Sequence, residues 1–327
     1  MSALMEIKHL KKYFNVPNGI LHAVDDVNIA IEKGTTLGVV GESGCGKSTL
    51  GKTIMKLTQP TAGEIWFDGV DIAPMSVREF KPYRYQIQMI FQDPYATLDP
   101  RMSVAQLIAE PLEVSKTLSD RAQIDKRVDE LMGLVGLASR LKNSYPHELD
   151  GGRRQRIGVA RALALKPKFI VCDEPVSALD VSIQAQILNL LQDLQKDMGL
   201  TYMFITHDMS VVKHISNEIA VMYLGQVIEK CEAKELFRNT LHPYSQALLS
   251  AIPIPNIHIK RKKILLKGEL SSPINPKPCC RFAVRCPYAS DECFASEPAF
   301  REITKGHYVS CHKVDSQYAT KKIQEEK

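Results

Sequence analysis

The sequence predicts an α/β fold: a parallel sheet core, a flanking antiparallel sheet, a helical insertion and a small cysteine-rich carboxy-terminal domain. Three observations lead there. Short apolar runs at Thr36 to Gly41, Phe169 to Asp173 and Thr201 to Thr206 read as buried strands, and segments of helical periodicity such as Ile183, Ile187, Leu190, Leu191 and Leu194 separate them. Gly41-Glu42-Ser43-Gly44-Cys45-Gly46-Lys47-Ser48 follows the first run and precedes a helix predicted over Thr49 to Leu57. That is the context in which a GxxxxGK[ST] loop cradles phosphate. Composition shifts after Ile252: Pro253, Pro255, Pro273, Pro276 and Pro278 punctuate the chain, and five of its eight cysteines lie beyond residue 278.

Taken in order, the segment before the loop and the stretch Glu64-Ile65-Trp66-Phe67 with Asp68-Gly69 alternate as short antiparallel strands do. In the loop, glycines let backbone N–H groups close around phosphates. Gly41, Ser43, Gly44, Cys45, Gly46 and Thr49 frame the nucleotide, Lys47 neutralises β/γ charge, and the Ser48 hydroxyl ligates Mg²⁺. ATP or GTP is the expected ligand. From Pro94 to Arg161 the pattern turns helical, with Val104, Leu107, Ile108, Leu131, Leu134 and Val135, and predicts an insertion over about 94–161. Phe169-Ile170-Val171-Cys172-Asp173-Glu174 is an apolar strand ending in two carboxylates. Asp173 is placed to hold Mg²⁺, directly or through water, and Glu174 to polarise an attacking water. Cys172, inside that strand, is a small buried hydrophobe.

The 327 residues suit one large domain plus an appendage, and 44% hydrophobic with 24% charged residues is the balance of a globular protein. No apolar stretch reaches membrane-spanning length, and Met1 to Phe14 mixes Glu6 with several lysines unlike a secretory signal, so the expected compartment is the cytoplasm. A net charge of +5 is too mild to argue for nucleic acid. The one dense basic run, Lys260-Arg261-Lys262-Lys263, reads as a solvated segment between domains.

Further motifs appear in a telling order: Gln92 in Phe91-Gln92-Asp93-Pro94, Leu149-Asp150-Gly151-Gly152-Arg153, Asp180 in Ser177-Ala178-Leu179-Asp180, and His207 in Ile205-Thr206-His207-Asp208. With the phosphate loop they span about residues 5 to 235, a domain over 1–235 that resembles the ATP-binding subunit of an ABC transporter, a P-loop NTPase core of ABC type. The resemblance implies a head-to-tail pair of such subunits sandwiching two ATP molecules, each site joining one subunit's phosphate loop to the other's signature. It assigns Gln92 to sensing γ-phosphate and Mg²⁺ and to contact with membrane subunits. His207 would hold γ-phosphate and orient the water; Asp150, Gly151, Gly152 and Asp180 would line the nucleotide. Phe14 or Tyr13 matches the aromatic that stacks on adenine, with packing in a strand as the alternative. The chain departs from the usual LSGGQ signature at Asp150 and Arg153. A carboxylate there should repel a facing γ-phosphate, with Arg153 or Arg154 compensating in part. Either the chain belongs to an asymmetric heterodimer whose second site is degenerate, or Asp150 is a tolerated variant.

Cys280, Cys286, Cys293 and Cys311 are separated by five, six and seventeen residues. Four thiolates can hold zinc or an iron–sulfur cluster, and free structural cysteines are the plainer alternative. The segments Leu241-His242-Pro243-Tyr244-Ser245-Gln246-Ala247-Leu248, Cys280-Arg281-Phe282-Ala283-Val284-Arg285-Cys286-Pro287 and Gly306-His307-Tyr308-Val309-Ser310-Cys311-His312 resemble the extension of oligopeptide and dipeptide importer ATPases. That extension would cover 236–313, and in some members it carries a [4Fe–4S] cluster; His307 and His312 are candidate ligands that read better as loop residues making hydrogen bonds. Residues 314–327 are polar and read as a disordered tail. Together the resemblances imply an ATPase peripheral to the cytoplasmic face of the cell membrane. Its partners would be a second ABC ATPase subunit, two transmembrane permease subunits and an extracytoplasmic solute-binding protein, for uptake of di- or oligopeptides. Nickel or oligosaccharide uptake and a soluble non-transport ABC ATPase are the alternatives. No NKxD-like guanine specifier is present.

Overall fold

A computed structural model describes residues 3–118, 120–252, 263–266, 268 and 272–315. Pro253, Pro255, most of the 260–263 basic run and residues 316–327 of the expected tail lie outside the described residues. The chain divides into two compact units. A helical unit comprises Glu32–Thr35 and Pro74–Phe204; a sheet unit comprises Ala3–Ile31, Thr36–Ala73 and the chain from Ile205 onward.

The sheet unit opens with β1 (Ala3–Val16) and β2 (Gly19–Glu32), then β3 (Thr36–Val40), α1 (Lys47–Ile54), β4 (Ala62–Phe67) and β5 (Val70–Asp71). β1 pairs antiparallel with β4, Met5 opposite Phe67 and Ile7 opposite Ile65, and β5 adds to β4 by a short hairpin. Those four residues include the strand's inward row: Met5, Ile7, Ile65 and Phe67 are at most 2% exposed, as period-two patterning requires of a sheet with one covered face. The predicted antiparallel sheet is therefore present.

In the helical unit, α2 (Val77–Gln86) starts from a Ser76–Glu79 capping box and runs into β6 (Ile87–Ile90). The helices α3 (Pro94–Thr97), α4 (Val104–Ser115), α5 (Arg121–Leu134) and α6 (Gly151–Leu163) follow, then β7 (Phe169–Asp173), α7 (Val181–Met198) and β8 (Thr201–Thr206). β6 and β7 pair in parallel, with Ile90 opposite Cys172. Every residue of β7 is buried, which explains its unbroken apolar run. Val104, Leu107 and Ile108 of α4, Leu131 of α5 and the following Val135 are buried as the helical periodicity predicts, whereas Leu134 of the same pattern is 43% exposed at the end of α5; Leu112, Val128, Ile157 and Leu163 complete the buried stripes.

The chain returns to the sheet unit through α8 (Met209–Ile215), β9 (Glu218–Tyr223), β10 (Gln226–Glu232), α9 (Ala233–Arg238), α10 (Pro243–Ser250), α11 (Asp291–Ala295), β11 (Phe300–Thr304) and β12 (His307–Ser310). β3 runs parallel to β9; β10 is antiparallel to β9, β12 to β10 and β11 to β12. The sequence suggests a small separate domain for the cysteine-rich region. Instead its hairpin extends a sheet that begins at β3, with Val309 opposite Glu229, and the region belongs to the sheet unit. Among the described residues no helix is long and apolar enough to cross a membrane.

Candidate nucleotide and phosphate site

Five buried residues of β3 lead into the loop, and α1 leaves it. Gly44 and Gly46 take φ of +79° and +107°, and a methyl on Gly46 would stand 2.0 Å from the Ala23 carbonyl oxygen. Only glycine fits there. α1 starts at Gly46 without a side-chain cap, so no side chain competes with an anion for its first N–H groups. Lys47 is 5% exposed. Its Nζ donates to the carbonyls of Gly41 at 2.8 Å and Glu42 at 2.9 Å, and its third neighbour is Cys45 Sγ at 3.9 Å. Phosphate oxygens are stronger partners for an ammonium than these neutral acceptors. Cys45 is buried; burial pushes its thiol up while the Lys47 charge opposes that. Ser43 is exposed, and Ser48 and Thr49 are half-buried in the first turn of α1.

Asp173, 4% exposed, closes β7 in the helical unit. Glu174 follows at φ +46°, a left-handed conformation that costs a non-glycine residue about 1 kcal/mol. Gln92 Nε2 donates to Glu174 Oε2 at 2.9 Å, joining two predicted site residues 82 positions apart. Ser177 ties the same turn by donating its Oγ–H to the Glu174 carbonyl at 3.1 Å. Asp180 is exposed at the start of α7 and makes no side-chain cap.

Asp150 is the N-cap of α6: its Oδ1 accepts the Arg153 N–H at 2.8 Å, and its Oδ2 lies 3.3 Å from the Arg153 guanidinium. This is the cap position where serine and aspartate serve alike. Arg154 turns elsewhere, donating Nε–H to the Pro146 carbonyl at 2.7 Å and lying over the Tyr95 ring at 4.4 Å. A methyl on Gly152 would stand 2.7 Å from Ile183 Cγ2, so α6 starts hard against α7. His207 lies in the sheet unit, exposed after β8, and the next residue, Asp208, caps α8 by accepting the Ser210 N–H.

Of the two candidate adenine platforms, Tyr13 stacks on His22 with centroids 3.9 Å apart and donates its hydroxyl to Asp25. It also lines a cavity of about 540 Å³ in the sheet unit. Burial, then the Asp25 hydrogen bond, drives its phenol pKa upward. Burial alone would raise the Asp25 carboxyl, but donors from Tyr13, His22 and Arg281 together hold it below its ordinary value. Phe14 is 36% exposed, with Lys12 Nζ 4.7 Å from its ring centroid.

All eight cysteines are free of disulfides. Burial pushes the Cys280 thiol up to about 12, a Phe282 N–H opposes this, and Cys293, Cys311 and Cys286 add to it, so the four lie within electrostatic reach of one another. Burial likewise raises Cys286 and Cys311, against N–H donors from Tyr288 and from Lys313 and Val314 respectively. Among the described residues, however, no group of three or more His, Cys, Asp or Glu side chains is arranged to hold a metal. His307 makes the expected hydrogen bond, but as a buried residue of β12 rather than of a loop: its Nε2 lies 2.9 Å from Oε1 of the buried Glu229.

Sequence reasoning missed three residues at the phosphate loop. Glu42 occupies a variable loop position; Arg285 Nη1 and Nη2 donate to its carboxylate at 2.7 and 3.1 Å, and the Tyr244 hydroxyl accepts its N–H at 2.9 Å. The available signal was weak: one of two arginines between a pair of cysteines and a tyrosine after a helix-starting proline.

The ABC transporter family profile matches residues 24–177, and that of the oligopeptide/dipeptide transporter C-terminal region matches 228–293. The chain is 52% identical over 312 residues to the putative oligopeptide transport ATP-binding protein YkfD of Bacillus subtilis, covering 94% of this chain and 95% of that one. It is 52% identical over 312 residues to the oligopeptide transport ATP-binding protein OppF of Salmonella typhimurium, covering 95% and 93%. Among solved structures, the ATP-binding cassette MJ0796 in a dimeric post-hydrolysis state bound to ADP and Pi matches at a TM-score of 0.65 and 29% identity, over 70% of this chain and 98% of that one. Fold and enzyme class are thus those of an ABC-type ATPase, for which ATP and Mg²⁺ are the expected nucleotide and ion. With a complete phosphate loop, a strand-end carboxylate pair and relatives of this identity along nearly its whole length, the chain belongs to the family of oligopeptide transport ATP-binding proteins of ABC transporters.

Proposed function

We propose that this chain is the ATP-hydrolysing subunit of a membrane importer of di- or oligopeptides, peripheral to the cytoplasmic face of the membrane. Its partners would be a second ABC ATPase subunit, two transmembrane permease subunits and an extracytoplasmic solute-binding protein. The observation that carries this reading is the identity of about half, over nearly the full length, to oligopeptide transport ATP-binding proteins. Nothing in those relatives favours the nickel, oligosaccharide or non-transport alternatives.

In this reading Lys47 and the loop N–H groups bind the phosphates. Ser48, Asp173 and Gln92 hold Mg²⁺, which supplies charge neutralisation at the β/γ oxygens. Glu174 polarises the attacking water, a role its hydrogen bond from Gln92 supports by fixing the carboxylate. His207 orients the water and γ-phosphate; Asp150, Gly151, Gly152 and Asp180 serve a nucleotide on a partner subunit. Adenine stacks on the Tyr13–Phe14 pair, of which Phe14 presents the more exposed ring. A division of motifs at 235/236, the nucleotide motifs before it and the extension after, belongs to this reading too. So does a [4Fe–4S] cluster on Cys280, Cys286, Cys293 and Cys311, with zinc as the alternative. The N–H donors to three of these sulfurs favour it, and the lack of ligating geometry weighs against it.

The test is uptake of a labelled tripeptide by cells carrying the full transporter, with wild-type chain or Glu174→Gln. Uptake by wild type and none by the variant is expected. Uptake unaffected by loss of the chain would overturn the reading.

A further inference from the structure

Three separate groups converge on one residue of the phosphate loop, and all three handles of that residue are held. The Glu42 carbonyl accepts Lys47 Nζ–H at 2.9 Å, its N–H goes to the Tyr244 hydroxyl at 2.9 Å, and its carboxylate takes both Nη groups of Arg285. The flanking loop is otherwise soft, because Gly41 and Gly44 carry little conformational preference of their own. The supports are rigid. Tyr244 is fully buried and packs with Tyr223 and Phe282 at centroid distances of 4.7 and 5.5 Å; Tyr223 and Phe282 meet edge-on at 5.3 Å. The Arg285 guanidinium lies 5.9 Å from the Tyr223 ring centroid. Both supporting groups come from the part of the chain after residue 240, so the extension reaches the loop that precedes it by some 200 positions.

We propose that Arg285 is a positioning residue for nucleotide binding: through Glu42 it fixes the loop and the Lys47 ammonium in the phosphate-accepting arrangement. The inference rests on the reading of this loop as the ATP phosphate site. An exposed ion pair would contribute almost nothing. This one is bidentate, with side chains 10% and 29% exposed, where the planar fork of arginine is not replaced by the point charge of lysine.

The experiment is a calorimetric titration of the full chain with MgATP, alongside thermal unfolding without nucleotide. Arg285→Ala should weaken MgATP binding about tenfold, equal to ~1.4 kcal/mol, while the nucleotide-free protein still unfolds cooperatively. Glu42→Gln should weaken it similarly, and the double variant no further than Arg285→Ala, the signature of one coupled pair. Arg285→Lys should recover part of the loss, and Val284→Ala, at a residue 81% exposed, should bind as wild type. Binding by Arg285→Ala within about twofold of wild type, or additive effects in the double variant, would overturn the positioning role and leave the loop assignment standing. A wild-type chain that binds no MgATP would overturn the loop assignment itself, and this role with it.

Discussion

Glu174 combines two properties that separate chemistry from stability. Its backbone is held at φ +46° by the turn that Ser177 ties, and its carboxylate is oriented by Gln92. Glu174→Gln keeps the shape and the Gln92 contact, because the amide oxygen can still accept that N–H. ATPase activity of the assembled transporter should therefore fall by roughly 10²–10⁴, the range for loss of a general base, with MgATP binding retained. A steady-state assay beside a binding titration checks this, and activity within tenfold of wild type would remove Glu174 from the water-polarising role. Asp150 tests a different balance. Its charge is offset by Arg153 at 3.3 Å, and its oxygen caps α6, so the pair presents a dipole rather than a bare anion to an approaching phosphate. Asp150→Ser should leave the ATPase rate within about threefold, because serine caps as well as aspartate, whereas Asp150→Ala should cost about 1 kcal/mol of stability by urea unfolding. A large gain in rate on Asp150→Ser would instead favour the asymmetric heterodimer.

At the scale of elements, α10 carries a titration that can be followed through the fold. Its N-cap is His242, whose Nδ1 accepts the Tyr244 N–H at 3.0 Å, and burial lowers its pKa from 6.5 to about 4, against the opposing pull of Glu229. An imidazole whose folded pKa is depressed is neutral when folded, while the unfolded chain gains the proton first as pH falls. Stability should therefore be full above pH 6.5 and decline towards pH 4, by an amount on the order of 3 kcal/mol from this residue. His242→Asn keeps a capping side chain but no titration, so the slope of unfolding free energy against pH over that window should flatten; an unchanged slope would refute the assignment. Much of this architecture was legible in the sequence, for physical reasons. The limits of β7 and β8 could be read because a strand buried on both faces must be apolar throughout, and the loop glycines because no other residue fits Gly46. Motif order singled out Gln92 and Glu174 separately, and only the structure shows the hydrogen bond that joins them. What escaped was long-range: Arg285 with Glu42 and His307 with Glu229 are pairings 243 and 78 positions apart, and no periodicity encodes them. The hairpin of β11 and β12 was hidden by prolines and cysteines that pointed to an independent domain.

For the whole molecule, the consequence of that hairpin is that the extension is structural material for the unit that holds the phosphate loop. The helical unit is inserted in the chain between β5 and α8, and the sheet unit closes only when the chain after Ile205 has folded. Leu241, Tyr244, Phe282 and Val309 from the extension are at most 2% exposed. Deleting one large buried side chain costs about 2–5 kcal/mol, and total stabilities are about 5–15 kcal/mol, so losing four such groups together is of the size of the whole stability of a domain. Removal also uncovers β10, leaving an unpaired edge that invites association. A chain ending at Arg238, the last residue of α9, should therefore fail to give a soluble protein with a cooperative melt, even though it keeps the phosphate loop, both strand-end carboxylates and His207. Thermal unfolding by circular dichroism, with size-exclusion chromatography of the soluble fraction, measures this against the full chain. A truncated chain that stays monomeric and melts within a few degrees of the full one would show that the extension is an appendage, and that residues 1–235 fold as the self-sufficient domain their motifs suggest.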